Sequence, residues 1–179
     1  MITRNQIKFL KSLSQKKYRI QSQKFLVEGK RIVKELIQSN AVIDKIYVSE
    51  DFIIKNADFI LFDSNISYEI ISNDVITKIK TTDSSQEVFA ISFINNSFDL
   101  QIQTPILVLD NISDPGNLGT LLRSASWYGI NNVLVSSKSV DIYNPKVVRS
   151  AMGAHFHITN LHQLSVEKIQ LILNDESIN

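Results

Sequence analysis

The pattern of apolar and polar positions predicts an α/β chain. Near the start, apolar residues at helical spacing predict a helix over residues 4–14, and a second helix is predicted after Gly29. Between them, residues 14–24 show no apolar period, which predicts a loop, and the apolar run at 25–27 predicts a short strand. Three further runs predict strands at residues 42–49, 57–62 and 87–93. A helix is predicted from Ser67 to about Lys80.

The second half of the chain alternates strands with helices. The run at 106–109 lacks alternation, which predicts a strand buried on both faces, as in a parallel sheet covered by helices. Three helices are predicted: one opening at Asn117, one after Asn144-Pro145 that ends at Gly153, and one over 165–173. Two more strands are predicted at residues 133–136 and 155–159. Parallel strands joined by crossover helices follow from this order.

The stretch between the strand at 106–109 and the helix at Asn117 is a candidate ligand site. Asp114-Pro115-Gly116 is a turn sequence. Ligands of parallel sheets bind beyond the carboxyl ends of the strands, where residues 111–117 lie. Gly119 would weaken a helix relative to alanine by roughly 1 kcal/mol. We therefore expect another backbone or a ligand close to Gly119.

Charge is distributed unevenly along the chain, although its net charge is only +1. The segment from Arg4 to Lys34 holds ten Lys and Arg residues against one acid, Glu28. Such a segment predicts either a polyanion-binding face or a solvated basic helix surface. Tyr18 lies among cations within residues 15–19, a combination that can hold phosphate and stack on an exposed base.

Other residue types narrow the function classes. The chain has no cysteine, which excludes disulfides and thiolate metal sites and favours a reducing compartment. Neither a G-x-G-x-x-G nor a Walker loop occurs, which argues against a dinucleotide-dependent oxidoreductase and a P-loop protein.

His155 and His157 would share one face of the predicted strand at 155–159, and His162 follows just beyond it. Structural histidines are favoured over a metal site here. Trp127 and Tyr128 are interpreted as packing residues rather than a stacking platform. The basic N-terminus is untypical of a signal peptide or membrane span, so a cytoplasmic location is expected.

Three segments resemble the SpoU–TrmH family of RNA ribose 2′-O-methyltransferases, within the SPOUT class. DNISDPGNLGTLLRSASWYGI at residues 110–130 resembles that family's first motif, and YNPKVVRSAMGA at 143–154 resembles the segment that follows it. FLVEGKRIVKEL at 25–36 resembles the family's substrate-binding domain. The resemblance implies an N-terminal ribosomal-protein-like α/β domain. It implies that the first half of a SPOUT domain follows, with a trefoil-knotted α/β fold and a Rossmann-like parallel sheet.

The resemblance also assigns residues to roles. Asn117 and Arg123 match the functional pair of the first motif, which implies that Arg123 acts on the attacking ribose 2′-hydroxyl while Asn117 shapes the site. The implied methyl donor is S-adenosylmethionine. Lys17, Arg19 and Arg31 become candidate contacts to RNA phosphates, because phosphate neutralisation supplies much of the affinity for RNA.

A guanidinium is protonated at physiological pH, so Arg123 would need an unusual environment to act as a general base. We hypothesise that Arg123 is a fixed cation that lowers the pKa of the ribose hydroxyl and orients ribose or phosphate.

The family's two later motifs, which form the knot and the cofactor pocket, have no counterpart in this sequence. We therefore expect the cofactor-binding residues to lie beyond Asn179, and we expect residues 1–179 alone neither to bind S-adenosylmethionine nor to methylate RNA. The C-terminal helix that helps the family form homodimers is also missing, so no dimer is expected of this chain.

The predicted organisation is an RNA substrate-binding domain at residues 1–95, a linker at 96–104 and a partial SPOUT methyltransferase domain at 105–179. The leading interpretation is an RNA methyltransferase that acts on a ribose 2′-hydroxyl of rRNA or tRNA. A second is a non-catalytic RNA-binding protein or an inactive fragment of such an enzyme. A third is a small-ligand α/β protein that uses the loop at 111–117.

Overall fold

A computed structural model describes residues 2–59, 66–81, 87–95 and 105–175. The chain divides into two compact units, Met1–Ile94 and Asn95–Asn179. Each unit combines helices with its own sheet, which confirms the predicted α/β class. Within the described part of the chain, no helix is both long and apolar enough to cross a bilayer.

The first unit is built on a four-stranded sheet. Its helices are α1 (Arg4–Ser12), α2 (Lys16–Ser22), α3 (Lys30–Gln38), α4 (Glu50–Lys55) and α5 (Asn73–Ile79), and its strands are β1 (Lys24–Glu28), β2 (Ile43–Val48), β3 (Tyr68–Ile70) and β4 (Val88–Phe93). The strand order is β1-β4-β2-β3, with β4 antiparallel to both neighbours and β2 parallel to β3. Side chains of α1 and α5 share one apolar core with β1, β2 and β4.

The predicted loop at residues 14–24 was wrong, because most of it is α2. Its buried side chain is Arg19, while Tyr18 and Ile20 are exposed. A helix that buries a cation and exposes its apolar residues shows no apolar period, so a periodicity argument misses it.

Two other predictions in this unit need correction. The predicted helix from Ser67 to Lys80 is a strand, β3, followed by the shorter helix α5. β3 pairs in parallel with β2, so tertiary pairing decides a conformation that the apolar spacing left ambiguous. The predicted strand at 57–62 falls on a turn at 57–58 after α4, a helix that was not predicted. Residues 60–62 lie outside the described residues.

The second unit contains a three-stranded parallel sheet. Its elements in chain order are β5 (Ile106–Leu109), α6 (Pro115–Trp127), β6 (Asn132–Ser136), α7 (Pro145–Ala151), β7 (Asn160–Leu164) and α8 (Val166–Leu173). The strand order is β5-β6-β7, which confirms the predicted parallel strands with crossover helices. Side chains of α6 and α7 share one core with all three strands.

β5 is less buried than its sequence predicted. It is an edge strand among the described residues, and Val108 is 37% exposed. The core formed with α6 and α7 includes Leu109, so only one face of the strand is well covered. An uninterrupted apolar run therefore predicted the strand correctly but overstated the burial of its second face.

The predicted strand at 155–159 was wrong. Ala154–Phe156 forms a 3₁₀ turn, and the strand begins only at Asn160. Gly153 has a φ of +101°, which turns the chain after α7, and the ring of His155 is held by a contact between its Nε2 and the carbonyl oxygen of Ile142 at 2.7 Å. His155 and His157 therefore do not share a strand face.

Candidate active site

The first turn of α6 is fixed by Asp114. Asp114 is the N-cap, and its Oδ1 accepts a hydrogen bond of 2.8 Å from the backbone N–H of Asn117. Pro115 occupies the first helical position, where its missing N–H costs nothing. The helix thus begins at Pro115, two residues before the predicted opening at Asn117, and the side chain of Asn117 is left exposed.

Asn117 and Arg123 lie on one exposed side of α6. Six helical residues correspond to about 9 Å along the axis and about 120° around it. Thr120 lies midway between them and is also exposed, and its Oγ1 donates to the carbonyl oxygen of Gly116 at 2.9 Å. The opposite side of the helix, with Leu118 and Leu122, is fully buried. The helix therefore presents Asn117 and Arg123 to the same solvent-facing surface.

Close contact with α7 holds α6 in place. A Cβ added at Gly119 would lie 2.0 Å from Ser150 Oγ and 2.7 Å from the carbonyl oxygen of Val147. This confirms the expectation that another backbone approaches Gly119. Ser150 Oγ also lies within hydrogen-bond distance of the carbonyl oxygen of Pro115, at 3.2 Å. The segment that carries Asn117 is thereby joined to the neighbouring helix.

Two buried serines at the end of β6 hold the loop that follows β5. The backbone N–H of Asn111 donates to Ser136 Oγ at 3.2 Å, and that of Ile112 donates to Ser139 Oγ at 3.0 Å. Asn111 has a φ of +53°, a backbone conformation that asparagine tolerates better than most residues. Neither serine was predicted from the sequence to hold this loop. The available signal was their Ser-x-x-Ser spacing directly after an apolar strand.

Polar groups at the carboxyl ends of the strands satisfy one another: the Nε2 group of Gln163 contacts the carbonyl oxygens of Ser136, Ser139 and Val140 at 3.0–3.2 Å. The two serine hydroxyls already bind the loop after β5. The expectation that cofactor-binding residues lie beyond Asn179 stays a prediction, and no residue described here is assigned to the cofactor.

The predicted RNA contacts of the first unit separate into two kinds. Lys17 and Arg31 are exposed. Arg19 is only 2% exposed, and its Nη1 donates a hydrogen bond of 2.7 Å to the carbonyl oxygen of Leu13 at the end of α1. A guanidinium held this way joins α2 to α1 and cannot reach a phosphate in solution. The predicted phosphate contact of Arg19 is therefore corrected to a structural role.

The histidines form no metal centre with the other described residues. Across residues 2–59, 66–81, 87–95 and 105–175, no group of three or more His, Cys, Asp or Glu residues is arranged to hold a metal ion. His155 lies against the ring of Tyr143, and burial lowers its pKa to about 4. Its ring is neutral at physiological pH.

The partly buried His155 makes the stability of the second unit sensitive to acid. An unfolded chain binds a proton on this residue below about pH 6.5, whereas the folded chain does so only below about pH 4. Stability should therefore be fully present above pH 6.5 and fall by about 3 kcal/mol as the pH drops to about 4. Urea unfolding from pH 7.5 to 4 measures this. His155→Gln should remove the part of the pH dependence that comes from this residue, while His162, whose pKa burial also lowers, should keep its own part. An unchanged slope in the variant would contradict the assignment.

Trp127 and Tyr128 are exposed rather than packed, so that prediction was wrong. Trp127 is 86% exposed, although it is the largest apolar side chain of α6. The buried positions of this helix include Leu118, Leu122 and Ala125. Trp127 follows Arg123 by four residues and so shares its exposed side. Position on the helix, not residue size, decides its environment.

Each of the two units matches a model of a known protein family. A family model described as the MRM3-like substrate binding domain matches residues 4–90, and the model of the SpoU rRNA Methylase family matches residues 104–177. The chain is 31% identical to the 23S rRNA (guanosine(2553)-2′-O)-methyltransferase RlmP of Bacillus subtilis, over 85% of this chain and 59% of that protein.

Solved structures give a matching fold. A TrmH-family protein from Porphyromonas gingivalis is 30% identical and superimposes with a TM-score of 0.73, covering 92% of this chain and 62% of that one. An rRNA methyltransferase from Sinorhizobium meliloti, solved with AdoMet bound, is 24% identical with a TM-score of 0.77, covering 98% and 67%. The chain thus spans about three fifths of the B. subtilis and P. gingivalis proteins.

Proposed function

Because the chain belongs to the SpoU rRNA methylase family, we propose that the protein methylates RNA at a ribose 2′-hydroxyl. The observation that carries this proposal is the exposed side of α6. There Asn117 and Arg123 are presented by a helix whose first turn is capped and whose body is locked against α7. S-adenosylmethionine, which the family implies, supplies the methyl group.

The described residues of this chain act on the RNA nucleotide rather than on the methyl donor. Arg123 places a fixed positive charge beside the ribose, where it stabilises negative charge that develops on the 2′-oxygen as the hydroxyl proton leaves to solvent. Its planar fork of donors can also hold a ribose or phosphate oxygen in one orientation. The Asn117 side chain, one and two-thirds turns earlier, carries both a donor and an acceptor to position the same nucleotide.

Ribosomal RNA is the proposed substrate class. The B. subtilis relative is named as a methyltransferase of 23S rRNA, and a human relative, 31% identical over 85% of this chain and 38% of its own length, is named rRNA methyltransferase 3, mitochondrial. Lys17 and Arg31 are the proposed phosphate contacts of the first unit, since both are exposed cations. The cytoplasmic location belongs to the same proposal.

Methyl transfer by the full-length gene product tests the proposal. We expect label from S-adenosylmethionine to enter rRNA from cells lacking the gene and to remain on ribose after digestion to nucleosides. RNA from cells that carry the gene should accept little label, because its site is already modified. Label on a base would contradict the ribose assignment. RNA binding without transfer would favour the non-catalytic RNA-binding interpretation.

A further inference from the structure

The first helix carries a row of cations that the proposed active site does not use. Arg4, Lys8 and Lys11 are all exposed on α1. Spacings of four and three residues place them within about 60° of arc and about 10 Å along the axis. Leu10, on the same helix, is fully buried, as is its C-cap Leu13. We refer to Arg4, Lys8 and Lys11 as the α1 basic row.

Other cations of this segment are used within the first unit. Arg19 binds the carbonyl oxygen of Leu13, Lys24 pairs with Asp44 at 2.8 Å, and the Nζ of Lys30 donates to Asn56 at 2.7 Å. By contrast, no member of the α1 basic row forms an ion pair with any carboxylate in the described part of the chain. The sequence from Arg4 to Val27 contains no Asp or Glu at all. Among the described residues, the row is therefore a positive surface without an ion-paired carboxylate.

The α1 basic row has an internal cost. Arg4 occupies the first position of α1, where the helix dipole disfavours a cation, and no acid in the first turn offsets it. Lys8 lies four residues after Arg4 and three before Lys11, and like charges at these spacings repel. An exposed helix with neutral residues at these positions would be more stable. An external polyanion would remove this repulsion.

The row is also held rigidly. Thr3 and Gln6 form a reciprocal capping box at the start of α1, with Gln6 N donating to Thr3 Oγ1 at 3.2 Å and Thr3 N donating to Gln6 Oε1 at 2.7 Å. At the other end, Arg19 connects α2 to the last turn of α1. Exposed Lys16 and Lys17 follow on α2. A preformed row of charges loses less conformational freedom on binding than a flexible tail would.

We propose that the α1 basic row binds the phosphodiester backbone of the RNA substrate, a contact separate from Lys17 and Arg31 and from the reacting nucleotide at α6. The proposal rests on the proposed function for the identity of the polyanion. Phosphate contacts of this kind give affinity and orientation without base specificity. The contact would hold the RNA while the second unit acts on one ribose.

The test is RNA binding by the full-length protein in which Arg4, Lys8 and Lys11 are all replaced by glutamine. The probe is a fluorescein-labelled RNA hairpin, and the dissociation constant is measured from 50 to 300 mM KCl without S-adenosylmethionine. Losing three phosphate contacts should reduce the slope of log affinity against log salt by about 2 to 3. We expect at least a tenfold loss of affinity at the lowest salt. Glutamine keeps the helix propensity, so thermal stability should be unchanged or higher.

Two control variants show whether the loss of RNA binding comes from the α1 basic row or from net charge alone. The variant K55Q/K138Q/K168Q removes the same net charge from exposed lysines elsewhere and should leave most of the salt slope intact. The variant R4K/K8R/K11R keeps the charges and should bind normally. An unchanged slope in the α1 variant, or an equal reduction in the control, would overturn the proposal. So would a loss of binding to phosphatidylserine vesicles with normal RNA binding, which would identify the row as a membrane surface. Because no methyl transfer is measured, failure here is distinguishable from failure of the proposed function.

Discussion

Methyl transfer should fall by roughly 10²–10³-fold when Arg123 is replaced by alanine, with little change in RNA affinity. That magnitude is typical of removing one preorganised group that stabilises charge in the transition state. Arg123 is exposed on α6, so its removal leaves no cavity and should not destabilise the helix. Single-turnover rates with rRNA, measured beside the dissociation constant, separate a chemical role from binding. A fall in affinity that accounts for the whole effect would reduce Arg123 to a phosphate contact.

Arginine-to-lysine replacement at the same position distinguishes two functions of the cation. Lysine keeps the charge but loses the planar fork of donors. If orientation of the ribose matters, Arg123→Lys should remain at least tenfold slower than the wild type. Full activity in this variant would remove the case for an orienting contact and leave only a charge effect. Lys168→Ala, on the exposed surface of α8, is a control for loss of a cation from the same unit and should keep full activity.

Two strands and the helices of the second unit could be predicted because their signals are local, whereas the third strand, β7, was predicted five residues too early. Continuous apolar runs identify β5 and β6, Pro145 and Gly153 bound the region of α7, and Ser165 caps α8. The close contact at Gly119 could also be predicted from the sequence. A glycine inside a helix needs a reason, and the reason found is the carbonyl oxygen of Val147.

Residues whose environment depends on long-range contacts were not predictable in the same way. Arg19 lies in a stretch whose sequence is typical of an exposed basic loop, and the carbonyl oxygen of Leu13 accepts a hydrogen bond that favours its burial. β3 owes its extended conformation to pairing with β2, some twenty residues earlier. Ser136 and Ser139 gain their role from the loop after β5, which reaches them only in the folded sheet.

In the candidate site, too, some features could be predicted from the sequence and others depend on contacts in the folded chain. The sequence resemblance identified Asn117 and Arg123 as a pair, and helix geometry places both on the exposed side of α6. Asp114 was assigned to a turn, although it is the N-cap that sets where the helix begins. A Pro at the first helical position after an Asp was the available signal. The resemblance indicated which residues matter, while the capping contact explains how Asn117 is held.

Replacing Gly119 by alanine should destabilise the second unit by about 2 kcal/mol net, because the overpacking cost of about 3 kcal/mol lies at the upper end of the usual range. The added methyl group would lie 2.7 Å from the carbonyl oxygen of Val147, which is backbone and cannot rotate away, and 2.0 Å from Ser150 Oγ. Alanine's better helix propensity offsets only about 1 kcal/mol. Because α6 must move away from α7, methyl transfer should fall as well. Urea unfolding together with hydrogen exchange at β6 measures the loss of stability.

Two variants separate the close contact at Gly119 from a general effect of losing a glycine. Gly129 has a φ of +70° with no atom within 4 Å of an added Cβ, so Gly129→Ala should cost only about 1 kcal/mol, from backbone conformation alone. Adding Ser150→Gly to the Gly119→Ala variant removes the side-chain clash but leaves the Val147 oxygen. A double-mutant cycle should therefore show a favourable coupling of about 1 kcal/mol or more and incomplete recovery. Equal costs at Gly119 and Gly129, or no coupling to Ser150, would mean that α6 and α7 are not packed as closely as this contact requires.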